Sequence, residues 1–245
     1  MALNLTVIVT RPAAQASYLL ELLVAEGFAG VSVPMLRIEF LESVDPPDFK
    51  GLDTLIFIST NAVAAFAQSG HSRAVPKNVR VFGIGQQTVN ALRDLGLVAD
   101  GANALSTEGL LQAPWFSVPR SVLIVKGEGG RQTLAETLSQ RGSLVRSWEG
   151  YRRLGPEACH QAQLCDLLAD SVAAVLTQSG ETLANVLAAV NGSLGLLQGV
   201  PVIVPSQRVA DAYNDMGLNL VVARSALDKD MVAALMVAVK GARSE

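Results

Sequence analysis

Short runs of apolar, mostly β-branched residues alternate along this chain with segments in which apolar positions recur every three or four residues. The clearest case covers residues 79–97, VRVFGIGQQTVNALRDLGL. Residues 79–84 predict a buried strand, and the helical spacing over residues 86–95 predicts a helix that ends at Gly96. The same order of strand, polar corner and helix recurs in residues 200–218. One structural unit is therefore present at least twice.

The recurrence extends over the whole sequence, as four strand and helix units followed by four similar units in the same order. The matched segments are 5–35 with 121–148, 52–68 with 171–187, 79–97 with 200–218, and 106–111 with 225–239. In the first unit we predict a strand over residues 5–10, a helix over 13–25 and a strand over 31–35. Such a repeat indicates an internal duplication, and strands alternating with helices indicate an α/β fold with parallel sheets.

Eight units are enough for two doubly wound domains, but the repeat does not fix which units share a domain. The two halves either fold separately or exchange their first units. Extended segments at 34–40 and 149–154 follow the matching strands and favour the exchange, with two antiparallel passes forming a ladder between the domains. We therefore expect domain 1 to comprise residues 1–36 and 154–245, domain 2 residues 40–149, and the linkers residues 37–39 and 150–153.

Composition restricts the function classes. Of 245 residues, 50% are hydrophobic and 17% charged, with a net charge of −3. This balance argues against a nucleic-acid surface, which needs a basic excess. Because the N-terminus shows no basic leader and no segment reaches the roughly 20 apolar residues of a membrane span, we expect a cytoplasmic protein without membrane contact.

The two cysteines raise the minor alternative of a metal site. Cys159 and Cys165 are the only two, and both fall on one predicted helix with His160 between them. In a reducing compartment such thiols more often pack than pair. A metal site formed by these three residues is conceivable but is the minor alternative, because the sequence offers no fourth ligand nearby, and we expect no metal and no cofactor.

Small polar residues occupy the predicted strand-to-helix corners. Ligands of open α/β sheets bind outside the carboxyl ends of the strands, where free N–H groups of helix N-termini favour anions. Each corner alone is equally well explained as a helix cap. A dinucleotide site at Gly83 and Gly85 is a weak alternative, because Thr88 replaces the third glycine and Asp100 does not end a predicted strand.

Tyr151 lies in the second crossing segment, beside Arg152 and Arg153. In one interpretation its ring only packs at a hinge. In the other its phenol, whose ordinary pKa of about 10 keeps it protonated at neutral pH, donates a proton to a ligand.

The ordered set VTRP, IFISTNAV, VFGIGQQTVNALRDLGL, STEGLL, LIVKGEGGR, EGYRR, LTQSG and VPVIVPSQRVADAYNDMGL closely resembles the uroporphyrinogen-III synthase family along the whole chain. The resemblance implies two flavodoxin-like domains with the exchanged connectivity and a substrate cleft between them. It implies conversion of hydroxymethylbilane, a polyanionic linear tetrapyrrole, to uroporphyrinogen III through a spiro intermediate, with loss of water and inversion of the last ring. It further implies that no cofactor is used. We expect a monomer that makes a transient contact with hydroxymethylbilane synthase.

Residue by residue, the resemblance places Tyr151 at the position that assists departure of the hydroxyl. It implies that the substrate carboxylates meet side chains and backbone groups of the corners, namely Arg11, Ser59, Thr60, Asn61, Gly85, Thr88, Ser106, Lys126, Thr177, Ser179, Gly180 and Ser206. Arg131 is a further cationic residue at the predicted corners, which together form the rim of each sheet. The rival hypothesis is a non-catalytic, two-lobed cytosolic protein that binds a small anion on the same rims.

Overall fold

Strands and helices alternate along the chain. The computed structural model describes residues 5–42, 45, 47–100, 106–130, 132–191 and 193–241. The strands are β1 (Leu5–Val9), β2 (Phe28–Ser32), β3 (Arg37–Phe40), β4 (Thr54–Phe57), β5 (Arg80–Gly83), β6 (Ala99–Asp100), β7 (Ser121–Gly127), β8 (Leu144–Leu154), β9 (Val172–Leu176), β10 (Val202–Val204) and β11 (Leu220–Val222). The helices are α1 (Ser17–Ala25), α2 (Thr60–Gln68), α3 (Gln86–Asp94), α4 (Thr107–Leu111), α5 (Thr133–Gln140), α6 (Ala158–Ala169), α7 (Gly180–Ala189), α8 (Gln207–Asp211) and α9 (Asp228–Gly241).

The chain divides into two units, each with its own sheet. The discontinuous unit comprises Met1–Arg37 and Leu154–Glu245, and the continuous unit comprises Ile38–Arg153. The first has a sheet in the order β11-β10-β9-β1-β2, and the second a sheet in the order β3-β8-β7-β4-β5-β6. The pairs from β11 to β2 and from β8 to β6 are parallel. The predicted α/β fold with parallel sheets is confirmed.

Helices cover both faces of each sheet. In the discontinuous unit, Val7 and Val9 pack with α1 and α9, while Ile8 packs on the opposite face with α6 and α7. In the continuous unit, Phe57 packs with α2 and α3, and Ile56 with α4 and α5. Strands buried on both faces need apolar residues at every position. This explains why they appear in the sequence as unbroken apolar runs.

Two local predictions were wrong. The second strand covers Phe28–Ser32 rather than 31–35, because Phe28 to Ser32 pair in register with β1. Gly30 permits this, since a Cβ there would lie 2.7 Å from Leu20 Cδ2. Asp100 does end a strand, the short β6. Its carboxylate is taken by an ion pair with Arg80, so it is not presented to a ribose.

The first helix also begins later than predicted. Residues 13–15 form a single 3-10 turn, and the α-helix starts at Ser17. Pro12 precedes that turn with φ −50° and ψ 135°, which is not helical. Among the helices of the described residues, none combines the length and apolar character that crossing a membrane requires.

Candidate active site

Tyr151 lies near the carboxyl end of β8, where the pairing with β7 changes register. Lys126 pairs with Glu149, but the next residue of β7, Gly127, pairs with Tyr151, so Gly150 is an extra residue in β8. A bulge of this kind re-aims the side chain that follows it. Because of the bulge, the Tyr151 side chain lies on the same face of the sheet as the α-carbon substituent position of Gly127. This face is covered by α2 and α3.

The tyrosine ring crosses over β7 and brings its hydroxyl to the corner after β4. Tyr151 Oη lies 3.0 Å from Ser59 Oγ, and the tyrosine is only 2% exposed. The ring can take this path because residue 127 is a glycine. A Cβ at Gly127 would lie 2.7 Å from both Cε2 and Cζ of the ring. The side chain is therefore held at a fixed position on the carboxyl edge of the sheet.

Ser59 has two partners at this edge. It is the N-cap of α2, and its Oγ accepts a hydrogen bond from the backbone N–H of Ala62 at 3.2 Å. Either hydroxyl can donate in the contact with Tyr151. When Ser59 donates, the phenol proton is left for a ligand, which is the arrangement that a proton donor requires.

Other predicted residues of the continuous unit lie along the same edge. Thr60 and Asn61 open α2 and are partly exposed, and Gly85 caps α3. Gly85 has φ +84, a conformation that favours glycine. Thr88, in the first turn of α3, is buried with 3% exposure, so its side chain packs in the present conformation. Ser106 caps α4, accepting from Gly109 N at 3.2 Å, on an exposed surface.

Lys126 lies on the opposite face of the sheet from Tyr151. Side chains alternate along a strand, and Lys126 shares a register position with Glu149 rather than with the tyrosine. The lysine is 5% exposed and its Nζ lies 3.4 Å from Glu149 Oε1. A ligand carboxylate would have to replace Glu149 to reach it.

A cavity of about 950 Å³ on the continuous unit is unsuited to a polyanion. Its lining carries six carboxylates and two arginines, namely Glu39, Glu42, Asp45, Asp48, Glu128, Glu149, Arg146 and Arg152. Both arginines are already paired. Arg152 bonds Glu39, which raises the pKa of the guanidinium. Arg146 bonds Asp48, whose pKa is lowered first by the backbone N–H of Lys50 and then by Arg146.

In the discontinuous unit, two predicted residues have structural partners. Arg11 Nη2 lies 2.6 Å from Asp228 Oδ1 at the start of α9, and its Nη1 donates to the Gln15 carbonyl at 3.1 Å. Thr177 is fully buried, and both its N–H and its hydroxyl donate to the Ile203 carbonyl. In the described conformation the polar groups of both side chains bind neighbouring elements, and the expectation that they meet a ligand stays a prediction.

The remaining hydroxyl corners of this unit differ from each other. Ser179 caps α7, accepting from Thr182 N at 3.1 Å and lying 2.8 Å from Thr182 Oγ1. The Gly180 carbonyl accepts from the Tyr213 hydroxyl at 3.2 Å. Ser206 occupies the N-cap position of α8 without a side-chain capping bond. Of the two serines, Ser179 has a capping role and Ser206 does not.

Sequence reasoning missed three features of these rims. Gly127 makes room for the tyrosine ring, and its place at the end of an apolar strand, directly before a polar corner, was the available signal. Asp228 neutralises Arg11, which no local pattern reveals. The amide atoms of Gln178, beside Ser179, are buried and find no hydrogen-bond partner within the described part of the chain. The predicted rim residue Arg131 lies outside the described residues.

Fold and site together define an α/β protein of two parallel-sheet units, with hydroxyl groups and helix N-termini at the carboxyl ends of the strands. Comparison with known proteins gives a more specific result. The family model described as uroporphyrinogen-III synthase HemD matches residues 17–233. The chain belongs to the uroporphyrinogen-III synthase family.

Individual relatives agree with this membership. The uroporphyrinogen-III synthase of Proteus mirabilis is 28% identical over 168 residues, which cover 61% of this chain and 81% of that protein. A mutant uroporphyrinogen III synthase from the extreme thermophile Thermus thermophilus superimposes with a TM-score of 0.62 at 17% identity, covering 97% of this chain and 99% of that chain. Uroporphyrinogen-III synthetase from Helicobacter pylori gives 0.63 at 14% identity, covering 95% and 98%. At these identities the two structures show a shared fold.

Proposed function

We propose that this chain is a uroporphyrinogen-III synthase, which closes hydroxymethylbilane to uroporphyrinogen III with loss of water and inversion of the last pyrrole ring. Family membership supports the reaction. The observation that supports a role for this chain's own residues is the contact of Tyr151 Oη with Ser59 Oγ, 3.0 Å, at the carboxyl edge of the continuous unit's sheet.

Tyr151 serves as the proton donor in this proposal. The lone pair of the terminal pyrrole nitrogen expels the hydroxyl of the hydroxymethyl group, and the phenol supplies the proton that turns it into water. The resulting azafulvene is attacked within the same molecule to give the spiro intermediate, which fragments and recloses. The proton released on rearomatisation restores the phenol. Ser59 orients the phenol by donating to its oxygen, so that the phenol proton faces the substrate.

The substrate carboxylates bind at the polar corners of each sheet. In the continuous unit these are Ser59, Thr60, Asn61, Gly85, Thr88 and Ser106, where the free N–H groups at the starts of α2 and α3 favour anions. In the discontinuous unit, Ser206, Ser179 and Gly180 serve this role. Lys126, Arg11 and Thr177 contribute only if their present partners are displaced. Backbone and hydroxyl donors allow a chain with a net charge of −3 to bind a polyanion.

We also propose that the two units arose by duplication with exchange of the first repeat. The strand orders support this. The discontinuous sheet, β11-β10-β9-β1-β2, corresponds strand by strand to β6-β5-β4-β7-β8 of the other sheet. Under this proposal the domains comprise residues 1–36 with 154–245 and residues 40–149. The linkers 37–39 and 150–153 run antiparallel as part of β3 and β8, which is supported by the hydrogen bond from Leu41 N to the Gly150 carbonyl, 3.0 Å.

The proposed reaction requires neither a redox-active nor a carbonyl-containing cofactor, and under this proposal the enzyme uses no cofactor. It acts as a cytoplasmic monomer. Because hydroxymethylbilane closes unaided to the uninverted isomer, a transient contact with hydroxymethylbilane synthase would shorten the exposure of the substrate to water.

An isomer assay tests the proposal. Hydroxymethylbilane is generated in place by hydroxymethylbilane synthase, the purified chain is added, and the oxidised products are separated by chromatography. Predominant isomer III is the expected result. Isomer I, formed at the rate of the control without the chain, would overturn the proposal and leave a non-catalytic anion-binding protein as the alternative.

A further inference from the structure

We propose a binding site for a divalent transition-metal ion such as Zn²⁺ at the start of α6, formed by Glu157, Cys159 and His160. One ligand atom from each of these residues can be chosen so that all three lie within 4.8 Å of one another. The residues belong to the discontinuous unit and take no part in the synthase reaction proposed above.

The local backbone brings the three ligands together. Glu157 is the N-cap of α6, and Cys159 and His160 are the second and third residues of the helix. The His160 N–H donates to the Glu157 carbonyl at 3.0 Å, which closes the first turn. Cys159 Sγ lies 3.7 Å from Glu157 Oε2. Tetrahedral zinc, with bonds of about 2.0–2.3 Å, places its ligands roughly 3.3–3.8 Å apart. This sulfur and oxygen are therefore already at a suitable separation.

The histidine has an unused polar atom. His160 Nδ1 is buried from solvent and has no hydrogen-bond partner within the described residues. A buried ring nitrogen is normally bonded to a donor, an acceptor or a metal. The imidazole is thus a group whose polar contacts the surrounding protein leaves incomplete.

The ligand set selects the class of cation. A thiolate and an imidazole favour zinc, cobalt and related transition metals over magnesium or calcium, which prefer oxygen ligands. The thiolate and carboxylate together carry two negative charges, so a bound divalent ion leaves no net charge beside the positive end of the helix dipole. Three protein ligands leave the fourth position for water or a small anion.

Arg37 competes with the metal for Glu157. Its Nη1 lies 3.4 Å from Glu157 Oε1, and both side chains are nearly half exposed. Exposed ion pairs of this kind contribute little to stability. A metal can therefore take the carboxylate, and removal of Arg37 should strengthen metal binding.

Cobalt provides the test, because a thiolate bound to Co²⁺ absorbs in the near ultraviolet. The metal-free, full-length protein is titrated with Co²⁺. We expect a charge-transfer band that reaches its full intensity at one equivalent of Co²⁺. Added Zn²⁺ should displace the cobalt and abolish the band. Cys159→Ser should lose this band, and His160→Gln should weaken binding by at least ~10-fold. Arg37→Ala should tighten it by ~2–5-fold.

Cys165→Ser is the matched control. Cys165 lies on the same helix, but its sulfur contacts the Ala189 carbonyl at 3.7 Å, and it is not part of the ligand group. This variant should keep the band. Absence of the band in the unmodified protein, or an equal band in Cys159→Ser, would overturn the proposal. Loss of the band in Cys165→Ser would do so as well, because it would assign the thiolate elsewhere. Circular dichroism of each variant checks that the fold is retained.

Discussion

The hydroxyl oxygens of Ser59 and Tyr151 lie 3.0 Å apart although the two residues are 92 positions apart in the sequence. Two features of the continuous unit make this contact possible. The extra residue Gly150 brings Tyr151 into register with Gly127, and the missing side chain of Gly127 lets the ring cross β7 to the corner after β4. The contact is therefore a product of the sheet and not of local sequence.

Replacing Tyr151 by phenylalanine removes the proposed donor while keeping the ring. Because positioned proton donors contribute about 10²–10⁴-fold, we expect turnover to fall by at least ~100-fold and the melting temperature to change little. Tyr18→Phe, which alters an exposed tyrosine, is the control. Isomer III formation at a near-normal rate in Tyr151→Phe would remove the phenol from the mechanism.

Ser59 should act by orienting the phenol. Ser59→Ala removes both the contact with Tyr151 and the cap of α2, so we expect a loss of about 1 kcal/mol of stability and a fall in turnover smaller than that of Tyr151→Phe. Ser59→Thr keeps a hydroxyl and should restore most of both. Steady-state kinetics and thermal unfolding on the same samples check this. If Ser59→Ala lost stability and kept full turnover, the serine would be a cap only.

Gly127→Ala tests the path of the ring. The added methyl group would lie 2.7 Å from the ring, so Tyr151 must move, and overpacking of this kind destabilises by about 1–3 kcal/mol. We expect turnover to fall together with stability. Gly155→Ala is the control, since a Cβ there meets nothing within 4 Å. A crystal structure of Gly127→Ala with an unmoved tyrosine would contradict the argument.

The sequence predicted the sheets well because their strands are buried on both faces. A short, unbroken apolar run such as that of β7 is typical of a fully buried strand. The helix after Gly85 was predicted from the 3.6-residue spacing of its apolar residues. Short edge strands were missed. β6 has two residues and β11 has three, too few to show a pattern. They carry little apolar area, so neighbouring strands rather than their own residues determine them.

The site was less predictable than the fold. The corner residues follow from strand ends, but their partners do not. Arg11 was expected to face a ligand and instead pairs with Asp228, more than 200 positions away by residue number. The bulge at Gly150 depends on how two strands pair, and a one-residue change of register redirects every later side chain. The ion pair and the bulge both depend on tertiary structure, so the sequence contains no periodic pattern that predicts them.

In the discontinuous unit, Ser206 allows ligand binding to be tested without the loss of a helix cap, whereas Ser179 combines a cap with a proposed ligand contact. Ser179 caps α7, whereas Ser206 makes no capping bond. We expect Ser179→Ala to lose about 1 kcal/mol of stability, measured by denaturant unfolding. Ser206→Ala should unfold like the parent chain but show a raised KM for hydroxymethylbilane. Equal stability losses, with KM unchanged in Ser206→Ala, would make both serines structural.

Asp230 should make the start of α9 sensitive to acid. Its pKa is lowered, first by the hydrogen bond from the Ser225 hydroxyl and then by Arg224. A carboxyl whose pKa is lower in the folded chain than the ordinary value of about 3.9 contributes stability that is complete above that value. This contribution is lost as the pH falls through the folded pKa. Asp230→Asn should therefore lower the melting temperature at neutral pH, and the difference from the parent chain should shrink below about pH 4. The exposed Asp215, changed to asparagine, serves as the control. A difference for Asp230→Asn that stays constant down to pH values well below the ordinary carboxyl pKa would show that its charge does not stabilise the fold.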